Sequence, residues 1–258
     1  MVVVQFTVPT LKLGKDFRVL SLTEYSICVY FSRIFIQMYG FPIILRRCST
    51  KRTHPTADRN CKPISEAFLQ QVDLRGIHLK LLEISAGYGQ HAGYLAPLTP
   101  NITFYTSEYD RSMFSSIKGY AADCATKNIR EPWFIDISKH PNEWVKQYGL
   151  KNESFDYLLN INMLHITPWS CAIGLFQNAG YLLKPNGKLF TYGAYIINGV
   201  LEPQSNINFD KYLRSCNSDW GIRDVADLKK LGVEYKIELL ATVDMPSNNK
   251  FLIWQKRI

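Results

Sequence analysis

The residues able to hold a small ligand gather where apolar runs end. Leu79 to Ile84 is a compact apolar run that passes through Glu83, Ser85 and Ala86 into Gly87-Tyr88-Gly89. Glycines directly after a first strand permit a tight turn and let a ligand lie against bare backbone. The string Gly87-Tyr88-Gly89-Gln90-His91-Ala92 also satisfies the dinucleotide pattern G-x-G-x-x-G/A, and Glu108 follows Gly89 by nineteen residues, where such a site carries its ribose-binding acid. The loop alone therefore fits two nucleoside cofactors, NAD(P) and S-adenosylmethionine (SAM).

Two features favour SAM. Glu83 at the end of the first run suits a cationic ligand without phosphates and opposes a pyrophosphate. Two late runs, Tyr235–Val243 and Phe251–Trp254, are separated mainly by Asp244-Met245-Pro246-Ser247-Asn248-Asn249, too short for a crossover helix, so they pair antiparallel. Glu108 can accept both ribose hydroxyls, each hydrogen bond to a charged group contributing roughly 1.5–3 kcal/mol. Asp136 falls near the adenine amino group. Asn160, Asn162, Met163 and His165 follow the fourth run and face the crevice beyond the strand ends.

Methyl transfer needs a positioned nucleophile and, for some acceptors, a base. His165, with an unperturbed pKa of about 6.5, is the candidate catalytic base, against a structural role as cap or filler. His91 reads as structural or as support for the cofactor. Arg59 and Asn60 precede the first expected helix and could fold over the pocket as a lid. Ser205, Asn206, Asp210 and Arg223 are placed at the substrate wall, suggesting a small polar acceptor; capping of a helix by Ser205 or Asn206 explains part of that string equally well. After the fourth run stands Ile-Asn-Met-Leu rather than the N/D-P-P-Y/F string of nucleic-acid amino methyltransferases.

The elements that must position these residues alternate. Helical spacing starts after Pro63 with Ile64, Ala67, Phe68 and Val72. Strands are expected at Leu79–Ile84, Ile102–Thr106, Trp133–Ile137, Phe155–Ile161 and Lys188–Tyr192, with helices at about 90–96 and 113–126 among those between them. With the closing hairpin this is an α/β, Rossmann-like class I SAM methyltransferase fold: a mostly parallel seven-stranded sheet with helices on both faces.

The chain has 258 residues and a formal charge of +8. Residues 1–52 hold eight Lys/Arg against two acids, leaving only +2 (22 basic, 20 acidic) on residues 53–258. A nucleic-acid partner is therefore not implied by the body's charge. Residues 1–52 read as an extension outside the domain at 53–258. Its apolar stretch Ile27–Leu45 is broken by Arg33, Gln37, Gly40 and Pro42, a poor membrane span. Its basic, acid-poor composition has some likeness to an organelle presequence, which would direct the protein to mitochondria. Otherwise the six scattered cysteines fit an intracellular protein, cytoplasmic or nuclear, with no zinc-type spacing and hence no expected metal. No membrane partner is expected for 53–258.

Asp58-Arg59-Asn60 with Lys62-Pro63-Ile64, LEISAGYGQHA at 82–92, INMLHITPW at 161–169, LLKPNGKLFTYGAY at 182–195, SNINFD at 205–210, DWGIRD at 219–224 and MPSNN at 245–249 resemble the methyltransferase-like protein 26 family. The resemblance spans roughly residues 56–258. It implies a SAM pocket and an enzyme acting on a small-molecule or protein acceptor. Ser85 is a mild departure from the family's pattern. Tyr88, where a small polar residue is usual, would crowd the methionine end of the cofactor. Those departures keep a second expectation alive, a non-catalytic binding or scaffold protein on the same fold; a nucleotide-dependent oxidoreductase is the third.

Overall fold

Run Leu79–Ile84 forms strand β1 in the interior of a sheet in the computed structural model, which describes residues 50–258. The expectations on residues 1–49 lie outside the described residues. The other strands are β2 (Ile102–Glu108), β3 (Trp133–Phe134), β4 (Phe155–Ile161), β5 (Leu183–Gly193), β6 (Tyr195–Ile196), β7 (Arg223–Asp224), β8 (Ile237–Met245) and β9 (Asn249–Lys256). The helices are α1 (Pro55–Leu69), α2 (Gln90–Leu95), α3 (Phe114–Asp123), α4 (Asn142–Val145), α5 (Trp169–Leu182), α6 (Gln204–Cys216) and α7 (Val225–Glu234).

Seven strands run in the order β3-β2-β1-β4-β5-β9-β8. β1 pairs parallel with both β2 (Leu82 opposite Tyr105) and β4 (Leu82 opposite Leu158). β9 pairs antiparallel with β5 and β8, so the closing hairpin is present as expected. Alternation along the strands splits the core in two. Leu82, Ile84, Leu158 and Leu189 pack with Trp144, Phe176 and Leu228 from α4, α5 and α7. Leu81, Phe104, Leu159 and Phe190 pack on the opposite face with Ile64, Phe68, Ala92 and Leu95 from α1 and α2. Each such side chain taken from water contributes roughly 1.5–3 kcal/mol. Helices on both faces thus follow from strands that are apolar on both sides.

Three boundaries differ from the sequence reading. α1 starts at Pro55, not after Pro63; His54 Nδ1 accepts from Thr56 N and Pro63 sits inside the helix. β3 stops at Phe134 because Asp136 Oδ1 accepts from Ser138 N at 3.0 Å, and that turn takes the chain off the ladder. β5 starts early, at Leu183, with an irregular register across Pro185–Gly187 before Lys188 pairs with Tyr157.

Between β5 and β8 lies a layer the apolar pattern did not resolve. β6 and β7 form a short parallel ribbon, and α6 packs on it through a small core of Ala194, Leu213 and Ile222, with Phe209 alongside. Thr50–Arg52 attach to α3: Thr50 Oγ1 donates to Ser115 O and Arg52 N to Ser116 Oγ. Among the described residues no helix is long and apolar enough to cross a membrane.

Candidate functional site

A cavity of about 1150 Å³ opens beyond the carboxyl ends of β1, β2, β4 and β5. It sits where β1 and β4 lead their following helices to opposite faces, the switch point at which open α/β sheets bind ligands. The amino-terminal turns of α1 and α6 and the tip of the β8–β9 hairpin complete its wall.

The glycine turn supplies its floor. Gly87 has φ +56° and nothing within 4 Å of the position a Cβ would occupy, so it presents bare backbone. Gly89 has φ +87°, and a Cβ there would come 3.0 Å from Ile117 Cα; its role is close packing against α3. Ser85 also takes a left-handed conformation, φ +57°. A non-glycine residue there stores about 1–3 kcal/mol, so Ser85 is a larger departure than its chemistry suggested. Tyr88 lines the cavity, its hydroxyl accepting from Arg52 at 2.9 Å and its ring under that guanidinium.

Glu83 ends up buried near the end of β1, 1% exposed and not among the residues lining the cavity, against the sequence expectation, and neither carboxylate oxygen has a partner. Burial, and then the charge of Glu108, push its pKa up to about 8. The surroundings are neutral too. Burial holds His91 down to about 4 and, with the charges of Glu83 and Asp58, pushes the Cys61 thiol up to about 12; Cys61 Sγ lies 3.5 Å from His91 Nδ1. A buried polar pair without partners is exceptional in a folded protein.

Glu108 ends β2 as expected, but its oxygens hold backbone. Oε2 accepts from Gly87 N at 2.8 Å, and Oε1 from Tyr109 N at 2.8 Å and Asp110 N at 3.1 Å. A carboxylate offers about four acceptor positions, so ribose hydroxyls would compete with Gly87 N–H. Asp136 lines the cavity next to buried Ile135 and Ile137, with Oδ1 also accepting from Ser138 Oγ at 2.6 Å. Asn160 pins the end of β4, donating to Ile84 O at 3.0 Å and to Met163 Sδ at 3.4 Å. Asn162, at φ +60°, and Met163 both line the cavity.

His165 lines it as well, 7% exposed, with Phe209 edge-on at 5.3 Å. Burial, and then the charge of Arg223, hold it down to about 4, so it is neutral near pH 7 and a weaker base than its ordinary value promised. Arg223 itself is not at the cavity wall, contrary to the sequence reading. Its donors are taken by Leu164 O (3.0 Å), Thr167 O (2.6 Å) and Asp219 O (2.8 Å), so it clamps the loop carrying His165 from behind.

Arg59 and Asn60 line the cavity from within α1, not from a lid ahead of it. Ser205 and Asn206 line it from the first turn of α6, whose cap is Pro203 with no side-chain hydrogen bond. Asn206 does not cap; its Nδ2 donates to Glu202 O at 3.0 Å and reaches Asn248 O at 3.5 Å. Asp210 is structural, accepting from Ile222 N and Arg214 Nε. Asn248 and Asn249, at the hairpin tip, also line the site and were not singled out from sequence. Only their membership in a specific string marked them, since the 42-residue gap from Asn206 to Asn248 hides the contact. Among the described residues no group of His, Cys, Asp and Glu is arranged to hold a metal ion.

The sheet order and the crevice define a Rossmann-like SAM-dependent methyltransferase fold, and solved structures share it. A putative sarcosine dimethylglycine methyltransferase from Galdieria sulphuraria superposes with a TM-score of 0.59 at 13% identity, covering 87% of this chain and 96% of that one. An O-methyltransferase family protein from Burkholderia thailandensis gives 0.62 at 12% identity, covering 91% and 70%. An O-methyltransferase family 2 protein from Planctomyces limnophilus, in complex with apigenin, gives 0.62 at 12% identity, covering 78% and 60%. At these identities the likeness is one of fold. Residues 51–256 match the family model described as "Protein of unknown function (DUF938)", and the chain belongs to that family.

Proposed function

We propose that the protein is a SAM-dependent methyltransferase with a small-molecule or protein acceptor, in keeping with its resemblance to the methyltransferase-like protein 26 family. The observation that carries this reading is the cavity beyond the strand ends, whose open turn at Gly87 follows the buried, partnerless Glu83 carboxyl by four residues. A buried acid with no internal partner fits a cationic ligand and opposes the pyrophosphate of a dinucleotide. In this reading Ser85, Gly87 and Gly89 shape the turn, Glu108 and Asp136 hold ribose and adenine, and Asn162 and Met163 flank the methionine portion. When bound, SAM supplies a methyl carbon made electrophilic by its sulfonium. The cavity exceeds the ~300–1000 Å³ common for one small ligand, which leaves room for an acceptor beside it. His165 accepts a hydrogen bond from the attacking group and holds its orientation, with Phe209 limiting ring rotation.

Calorimetric titration with SAM and S-adenosylhomocysteine tests the reading; absence of binding by the full chain refutes it. The depressed basicity of His165 favours a second reading, a non-catalytic SAM-binding module. It predicts cofactor binding without transfer of labelled methyl to any fraction of cell extract.

A further inference from the structure

The cavity is electrostatically divided. Its acidic lining residues, Glu108 and Asp136, both stand at the ends of the β2 and β3 side, and their oxygens accept from backbone or Ser138. The opposite corner, where α1 meets the hairpin, holds a cation. Arg59 lines it with Nε reaching only Asn60 Oδ1 at 3.4 Å, and no carboxylate among the described residues pairs with it. Asn60, 2% exposed, lines the same corner with Nδ2 lacking any partner. The charge of Arg59 also acts on the buried Tyr192 phenol, which accepts from Asn249 Nδ2 at 3.0 Å, so guanidinium and hairpin tip stand close together. His91 and His165, the other basic groups deep in the wall, are neutral at pH 7. A planar fork of donors beside a second, desolvated amide donor, neither of them paired with a carboxylate, matches a carboxylate ligand.

We propose that Arg59 and Asn60 form a carboxylate-binding corner of the cavity. Two ligands of a methyltransferase can present that group, the methionyl end of the cofactor or a carboxylate on the acceptor, and only this choice rests on the functional reading above.

The test compares wild type, Arg59→Gln and Asn60→Leu by calorimetry with three kinds of probe. S-adenosylhomocysteine carries a carboxylate, and 5′-methylthioadenosine keeps the nucleoside and thioether but lacks the amino-acid portion. Acetate, pyruvate and benzoate, each against its neutral amide, are titrated into both the free and the S-adenosylhomocysteine-saturated protein. Losing a charge-assisted pair lowers affinity about 10–100-fold. If the corner holds the cofactor, Arg59→Gln weakens S-adenosylhomocysteine by that factor and leaves 5′-methylthioadenosine unchanged. If it holds the acceptor, both nucleosides bind as before while wild type prefers carboxylates over amides and Arg59→Gln loses the preference. Asn60→Leu, which removes the unpaired Nδ2 donor together with the 3.4 Å contact of Oδ1 with Arg59 Nε, should match the same pattern more weakly. The proposal is overturned if Arg59→Gln changes no carboxylate ligand, or weakens 5′-methylthioadenosine as much as S-adenosylhomocysteine. Should wild type bind neither nucleoside, the functional reading falls. The carboxylate preference of the free protein then decides the corner on its own: its presence and loss in Arg59→Gln support it, and its absence overturns it.

Discussion

Replacing Glu83 by glutamine removes a proton equilibrium that the fold has moved to the edge of neutrality. With its pKa pushed up to about 8, the carboxyl is roughly ten-to-one protonated at pH 7. A cationic ligand above the glycine turn favours the ionised form and draws the pKa down again. Binding therefore releases a proton, and the affinity that comes from the carboxylate is nearly complete by pH 9, half present near pH 8 and lost as pH falls further. Between pH 7 and pH 9 the gain is about tenfold, or 1.4 kcal/mol. The α-amino group of SAM, ordinarily near 7.7–8.0, titrates in the same window. Glu83→Gln carries that second titration alone, so the difference between the two proteins isolates the carboxyl. Calorimetry with SAM from pH 6.5 to 9, in two buffers of different ionisation enthalpy, reads both affinity and proton release. Parallel pH profiles in the two proteins would refute the reasoning, because Glu83 would then not sense the ligand.

Acid should destabilise the fold through two histidines. His91 and His165 stay neutral down to about 4, whereas the unfolded chain protonates them near 6.5, so stability present above 6.5 is lost toward 4 by up to about 3 kcal/mol each. Thermal melts at pH 7 and 5 should show it, with His165→Gln removing about half the loss; an unchanged loss would place the effect elsewhere. Ser85→Gly relieves the left-handed strain and should raise urea stability by about 1 kcal/mol; a drop would mean the hydroxyl does something the geometry does not reveal. The two glycines should separate stability from binding. Gly89→Ala meets Ile117 at 3.0 Å and should cost about 2–4 kcal/mol in stability, while Gly87→Ala, with open space above it, should lose S-adenosylhomocysteine affinity by more than its smaller stability loss explains. Equal effects at both positions would remove the distinction.

Much of the site was legible because its residues sit at the ends of strands. Gly87 after β1, Glu108 at the end of β2 and Asn162 after β4, all lining the cavity, follow from local apolar runs and the rule that ligands gather beyond strand ends. The position of Arg223 behind the cavity wall is not legible locally, because two of its three carbonyl partners, Leu164 and Thr167, lie more than fifty residues away. Asn248 and Asn249 were passed over for a like reason: they reach the cavity only when the hairpin folds beside α1 and α6.

The parallel sheet, its closing hairpin and the glycine turn are written in local stretches of the chain. Periodicity, short loops and backbone permissiveness are local properties, and each leaves a mark in adjacent residues. Tertiary structure alone decided the electrostatics of the site. Whether Glu83 is paired or partnerless, whether Glu108 faces a ligand or holds Gly87, and whether His165 is a strong or a weak base all depend on desolvation and on donors brought from distant segments. Those quantities belong to the packed interior, where dielectric and neighbour are set together, and no window of sequence contains them.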